Sequence, residues 1–263
     1  MSEHSARSAS EEPAPVVTRA NLRTYLADAA RKQQLVTPLF DLIAPRYDRF
    51  TRVFSYGLDA RWKDELIRWI ARDVGTQQVE GLDVACGTGD LAFRTALAVP
   101  TARVRGIDVS EQMLEIARPR LTQALHGRVT FSAGDLARLD APPASVDVVT
   151  AGYAIRNAPD PRAALGEIAR VLRPGGRLYV LEFFRPEPAI WRALYLGYLR
   201  VAGAAVGWLW HRAPAAYEYI AVSISQFVSC EEFAAWLRDA GFHVTAVQPK
   251  LRGGVALVAA VRR

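Results

Sequence analysis

Histidine and cysteine are scarce in this chain of 263 residues, with four of the first and two of the second. Cys86 and Cys230 cannot form the disulfide framework that staples small secreted domains, and a reducing cytoplasm suits them best. The histidines, at 4, 126, 211 and 243, keep no metal-ligand spacing, so no structural zinc or other metal is expected. The apolar core of a secretory signal is missing as well. Residues 1–20 are rich in Ser, Glu, Ala and Pro and read as a disordered tail. There is no internal repeat. The net charge of +6 comes from basic residues spread along the chain, a pattern that compels neither nucleic acid nor membrane as a partner.

What is present suits one sizeable core: 51% apolar and 23% charged residues. The spacing divides the chain into a disordered or partly helical tail over 1–34, a helical cap over 35–78 and a main domain over 79–263. The cap is dense in aromatics and broken near Ser55–Gly57. Beyond it, short apolar runs near 80–84, 103–108, 128–133, 146–151 and 177–183 alternate with helical patterns near 89–98, 110–125 and 160–172. That alternation predicts an α/β fold with a parallel sheet wrapped by helices. Ser110 is placed as a helix N-cap, and Pro174-Gly175-Gly176 turns the chain into the fifth strand. Ser229 with Glu232 makes a capping box, and 242–248 with 254–262 closes the sheet as a hairpin.

Residues 186–228 break the pattern as a helical, apolar insertion. From Ala193 to Trp210 the chain is almost wholly apolar, interrupted by Arg200. A membrane span needs about 20 apolar residues without a central charge. A helix over the substrate pocket or in a subunit contact is therefore expected here. The alternative is an interfacial helix that dips Trp208 and Trp210 into lipid.

The chemistry begins at Leu82-Asp83-Val84-Ala85-Cys86-Gly87-Thr88-Gly89-Asp90, a strand running through a glycine turn into a helix. Gly87 and Gly89 let the backbone approach a ligand, and the helix start offers free N–H groups. Alone, this turn fits NAD, FAD or S-adenosylmethionine. Asp108 ends the second strand, 19 residues after Gly89, where a carboxylate can accept both ribose hydroxyls of an adenosine. Asp135 ends the third strand, where it can receive an adenine amino group while Leu136 packs on the ring. Three such positions at strand C-terminal ends argue for one nucleoside lying across the sheet edge. No Tyr-Lys pair of a dehydrogenase accompanies them.

Asp83–Asp90, Asp108–Met113 and Leu172–Gly176 resemble the three landmark segments of class I S-adenosylmethionine-dependent methyltransferases. Further segments narrow the resemblance: Phe40–Asp48, Trp62-Lys63, Tyr153-Ala154-Ile155-Arg156-Asn157, Leu181-Glu182-Phe183 and Tyr217–Ile224. In this order they resemble the ubiquinone/menaquinone biosynthesis C-methyltransferase family, over residues 35 to 263. The resemblance implies a Rossmann-like, mostly parallel seven-stranded sheet with a C-terminal antiparallel hairpin. It implies S-adenosyl-L-methionine as co-substrate, held by Tyr47, Asp83, Gly87, Thr88, Gly89, Asp108, Met113, Asp135, Leu136 and Gly152. The implied acceptor is a lipophilic quinol, either demethylmenaquinol or a polyprenyl benzoquinol. Asp90 would take the phenolic proton, Arg156 would orient Asp90 and stabilise the phenolate, and Asn157 would hold the ring oxygen.

Two departures stand out. Cys86 replaces a glycine that the family often carries, and Gly152 stands where a serine is common, which removes one cofactor hydrogen bond. Cys86 has no base nearby and reads as a small buried residue. Other acceptors stay open, among them a phenolic metabolite or a phospholipid headgroup, as does a binding protein without catalysis. Nucleic acid is not expected, for want of an appended RNA-binding module. A homodimer stays open, and the expected place is the cytoplasm, with peripheral membrane contact through 191–212.

Overall fold

A computed structural model describes residues 22–210 and 214–263. The tail expected over 1–20, and His211 and Arg212 in the apolar segment, lie outside the described residues. The chain opens with α1 (Leu22–Ala27), α2 (Ala29–Ile43), α3 (Tyr47–Phe54) and α4 (Asp59–Val74). Then come β1 (Val79–Val84), α5 (Asp90–Ala98), β2 (Ala102–Asp108), α6 (Glu111–Ala117), β3 (Val129–Ala133), β4 (Val146–Gly152), α7 (Pro161–Val171) and β5 (Leu172–Phe183). The C-terminal part holds α8 (Ala189–Trp210), α9 (Pro214–Gln226), α10 (Cys230–Asp239), β6 (Phe242–Lys250) and β7 (Val255–Arg262).

The seven strands form one sheet in the order β3-β2-β1-β4-β5-β7-β6. The first five are parallel, and β7 runs antiparallel between β5 and β6. This is the Rossmann-like sheet with a closing antiparallel pair that the resemblance implied. Strand order reverses between β1 and β4. A ligand crevice opens at such a reversal, beyond the carboxyl ends of the strands.

Each face of the sheet buries its own core. One contains Leu66, Ile70, Tyr179, Leu199 and Ile224, from α4, β5, α8 and α9. The other contains Val149, Leu165, Ile168, Leu237 and Phe242, with α7 and α10 packed upon it. Strands covered on both faces must be apolar throughout, which is why β4 and β7 read as nearly unbroken hydrophobic runs.

Local signals set the helix starts. The Ser110 hydroxyl accepts the Met113 amide, and the Ser229–Glu232 capping box forms with both bonds in place. One expectation is corrected. The helix expected over 110–125 stops at Ala117, because Pro119 lacks an N–H and turns the chain into a short 3-10 segment.

Candidate active site

The glycine turn after β1 sits at the sheet's reversal point. Gly89 has φ +83°, and a Cβ there would come within 2.7 Å of the Phe131 ring, so any side chain would be both strained and blocked. Gly87, at φ +54°, donates its N–H to Asp108 Oδ2 at 2.7 Å. The second Asp108 oxygen accepts the Ser110 amide at 2.9 Å. Burial raises the Asp108 carboxyl, and the two backbone bonds oppose that shift. Asp108 lines a cleft together with Tyr47, Met113, Asp135, Leu136 and Gly152.

Asp83 lies beneath this cleft rather than in it. Its oxygens accept from Thr150 Oγ1 at 2.7 Å and the Ala92 amide at 3.0 Å. Burial pushes its carboxyl up to about 7. It ties the start of α5 to β4 and so fixes the turn. Thr88 donates to Asp48 Oδ1 at 2.9 Å, which links the turn to α3.

Helix α2 closes the cleft from above by three bonds. Gln33 donates to Asp135 Oδ2 at 3.2 Å, Lys32 to the Arg156 carbonyl at 2.9 Å, and Asp41 accepts from the Ser110 hydroxyl. These bonds reach the ends of β3, β4 and β2 respectively. Burial, with the Arg156 charge, lowers the Lys32 ammonium to about 8.

Two further spaces adjoin the cleft and share Tyr47 and Tyr153 as walls. The polar one contains Asp83, Thr88, Asp90 and Lys63. Lys63 Nζ stands 2.8 Å from Asp59 Oδ2 and 2.9 Å from Asp90 Oδ2, while Arg94 donates to Asp90 Oδ1 at 2.7 Å. Burial would raise the Asp90 carboxyl, but Lys63 and Arg94 outweigh it and hold the group below its ordinary value.

The apolar space is lined by Leu39, Ile43, Phe54, Phe183 and Ile220, with Arg156 and Asn157 as its polar members beside Tyr219 and Thr51. Arg156 is buried there. Its Nε lies 3.6 Å from Glu182 Oε1, its Nη1 donates to Ser223, and its guanidinium carbon stands 5.9 Å from the Phe183 ring centroid. The Arg156 Nε has no hydrogen-bond partner. Burial raises Glu182, against the pull of Arg156. The expected contact of Arg156 with Asp90 is therefore corrected: Arg156 is oriented by Glu182 and Ser223, and Asp90 by Lys63 and Arg94.

Comparison with known proteins identifies this arrangement. The profile of the ubiE/COQ5 methyltransferase family matches residues 28–262. The chain belongs to that family. A relative from Syntrophotalea carbinolica, named ubiquinone/menaquinone biosynthesis C-methyltransferase UbiE, is 39% identical over 86% of this chain and 92% of its own length. A demethylmenaquinone methyltransferase from Deinococcus radiodurans is 36% identical, over 84% of this chain and 90% of its own. Among solved structures, the magnesium protoporphyrin IX methyltransferase of Synechocystis with bound S-adenosylhomocysteine has TM-score 0.60 at 20% identity. It aligns with 88% of this chain and 100% of its own. A SAM-dependent methyltransferase of Aquifex aeolicus has TM-score 0.52 at 19% identity, over 75% of this chain and 89% of its own. These two likenesses establish the fold. The protein is thus an S-adenosylmethionine-dependent methyltransferase of the ubiE/COQ5 family.

Gly152, where the resemblance implied a serine, has a side chain packed against it. A Cβ on Gly152 would meet Leu91 Cδ1 at 2.7 Å, so Leu91 fills the space a serine would need. Cys86 is half-buried rather than fully buried as expected, and burial with the nearby carboxylates raises its thiol well above the ordinary range. Among the described residues no group of three His, Cys, Asp or Glu could hold a metal ion.

Several site residues carried a family signal but no assigned role in the sequence: Lys63, Tyr153, Glu182 and Tyr219. Gln33, Lys32 and Asp59 gave no signal at all. Asp59 accepts the Tyr153 hydroxyl at 2.8 Å across 94 residues of chain, and Tyr153 stacks on Phe183 with centroids 4.7 Å apart.

Proposed function

We propose that this protein transfers a methyl group from S-adenosylmethionine to a ring carbon of a reduced polyprenyl quinone precursor, demethylmenaquinol or a polyprenyl benzoquinol. The observation that carries this reading is the apolar space beside the nucleoside cleft, with Arg156 and Asn157 among its few polar walls. A hydrophobic ring with flanking hydroxyls matches it. The names of the relatives from Syntrophotalea carbinolica and Deinococcus radiodurans agree.

S-adenosylmethionine supplies an electrophilic methyl on a sulfonium, so the protein chiefly aligns an in-line displacement. The Arg156 guanidinium stabilises the phenolate that makes the ring carbon nucleophilic, and Asn157 holds a ring oxygen. The new carbon–methyl bond forms as the sulfur–methyl bond breaks, and the ring then loses its proton. Asp90, through a water, is the candidate base for the phenolic proton, and the ring proton lost after transfer returns to the ring oxygen, so one proton is released overall. Because Lys63 and Arg94 weaken Asp90, ionisation of the phenol rests mainly on Arg156. Tyr47 and Tyr153, shared by all three spaces, screen the reacting atoms from bulk solvent.

Among the described residues no helix is long and apolar enough to cross a membrane. The reading places the protein at the cytoplasmic face of the membrane, with contact through 191–212. A homodimer competes for the same helix face.

The test is mass spectrometry after incubation with S-adenosylmethionine and each chemically reduced quinol in parallel. A gain of one methyl on either ring, absent when the quinone stays oxidised, is the expected result. No gain on either, with the cofactor still bound, moves the acceptor to another phenol or lipid.

A further inference from the structure

Helix α8 buries Tyr195, Leu196, Leu199 and Val206 in the core and turns its other side outward. Ile190, Leu194, Val201 and Trp208 recur on one stripe of that outward side. Their exposures are 81%, 63%, 73% and 71%. At 1.5 Å per residue the stripe runs about 27 Å, and the exposed residues filling it are Ala193, Ala204, Ala205 and Leu209. All are apolar. A face of this extent is rarely left to water.

The stripe continues onto α3. Tyr56, just past the end of α3, stacks on Tyr198 with centroids 4.4 Å apart, and the Tyr198 hydroxyl donates to the Val53 carbonyl at 3.2 Å. Val53 is exposed there, with Arg49 and Arg52 beside it. On α8 itself the only charged residues are Arg192 and Arg200, both half-buried. No ion pair among the described residues engages Arg49, Arg52 or Arg200.

We infer that α3 and α8 together form a docking surface for an anionic lipid bilayer, with α8 flat in the interface and the arginines on lipid headgroups. Charge decides between this occupant and a second copy of the chain. A symmetric pairing of two α8 stripes pivots near their midpoint and brings two unpaired Arg200 side chains together. A bilayer instead accepts arginine stems along its apolar edge and their heads among phosphates.

Helix α3 also joins this surface to the acceptor pocket. Tyr47, Thr51 and Phe54 line that pocket, while Arg49, Arg52 and Val53 face the other way. An acceptor with a long apolar tail would pass from bilayer to pocket beside one eight-residue helix. This last step rests on the methyl-transfer reading. The docking itself does not.

The test is flotation of the full chain with vesicles of phosphatidylcholine alone and with added phosphatidylglycerol. Flotation is expected with the anionic vesicles only, and it should fall as salt is raised. Arg49→Gln/Arg52→Gln should weaken partitioning on the order of tenfold or more, since each cation near such a surface contributes about fivefold. Val201→Asn/Trp208→Gln should abolish it while helical content and cofactor affinity are unchanged. Protein that stays in solution with both vesicle types overturns the proposal. So does a solution dimer that Val201→Asn/Trp208→Gln splits, which would assign the face to a second copy. Flotation needs no turnover, so absence of methyl transfer to either quinol would leave this result readable by itself.

Discussion

Tyr219 donates its hydroxyl to the Asn157 side-chain oxygen at 2.8 Å, across 62 residues of chain. The Asn157 amide nitrogen donates in turn to the Tyr153 carbonyl at 2.7 Å. The amide is thereby fixed at both ends, with one N–H left to meet an acceptor oxygen. If Asn157 holds a ring oxygen as proposed, Tyr219 acts through it as a positioning residue.

Tyr219→Phe keeps the ring and frees the amide to turn. A drop in kcat of about tenfold is expected, equal to about 1.4 kcal/mol of barrier, with little change in the KM for S-adenosylmethionine. Steady-state kinetics check this. Equal losses in kcat and cofactor affinity would point to a general disturbance of the fold instead.

Arg156→Ala should abolish turnover while cofactor affinity, read by calorimetry, holds. It also leaves Glu182 buried without its cation, at a cost of about 3–5 kcal/mol. The pair Arg156→Met/Glu182→Gln removes both charges and should recover most of that stability in denaturant unfolding, yet remain inactive. An active double variant sinks the catalytic assignment.

Lys32 gives a pH signature. Its ammonium is lowered to about 8 in the folded protein, from an ordinary value of 10.5. Between those values the unfolded chain binds more protons, so stability should rise with pH through that window. Below about 8 both states are protonated and the contribution is flat. The rise amounts to at most about 3 kcal/mol. Urea unfolding of Lys32→Met across the same range should lack it.

Gly152→Ser alone should weaken cofactor binding and lower the melting temperature, because the new Cβ meets Leu91 Cδ1. Because Leu91 Cδ1 is the end of a flexible side chain that can turn aside, the cost should be at most about 1 kcal/mol. Combined with Leu91→Ala, the serine gains room, and affinity should return to or exceed the parent's. Additive losses in that double-mutant cycle would deny that the two positions are coupled.

The sequence by itself determined the elements whose signals are local. Gly89 specifies a turn position only glycine accepts, Ser110 and Ser229 cap helices by bonds within three residues, and unbroken apolar runs mark strands covered on both faces. Asp108 and Asp135 were legible because strand ends converge at one edge of any sheet of this order. The landmark segments Tyr153–Asn157 and Leu181–Phe183 were legible as family features, but without the partners that give them roles.

Only the tertiary structure decided those partners. Asp59 meets Tyr153, Lys63 meets Asp90, Gln33 meets Asp135 and Tyr219 meets Asn157, each across 27 to 102 residues of chain. A charged or hydroxyl side chain carries no mark of which distant group it will face. Its partner is set by how α2, α4 and α9 pack over the sheet, and that packing is driven by non-directional burial of apolar surface. For the same reason only packing showed that the Asp83 carboxyl also holds Thr150 and the start of α5. The stripe on α8 follows the same logic. Its composition was plain in the sequence, but which half of an all-apolar helix stays outside depended on what the core had room to cover.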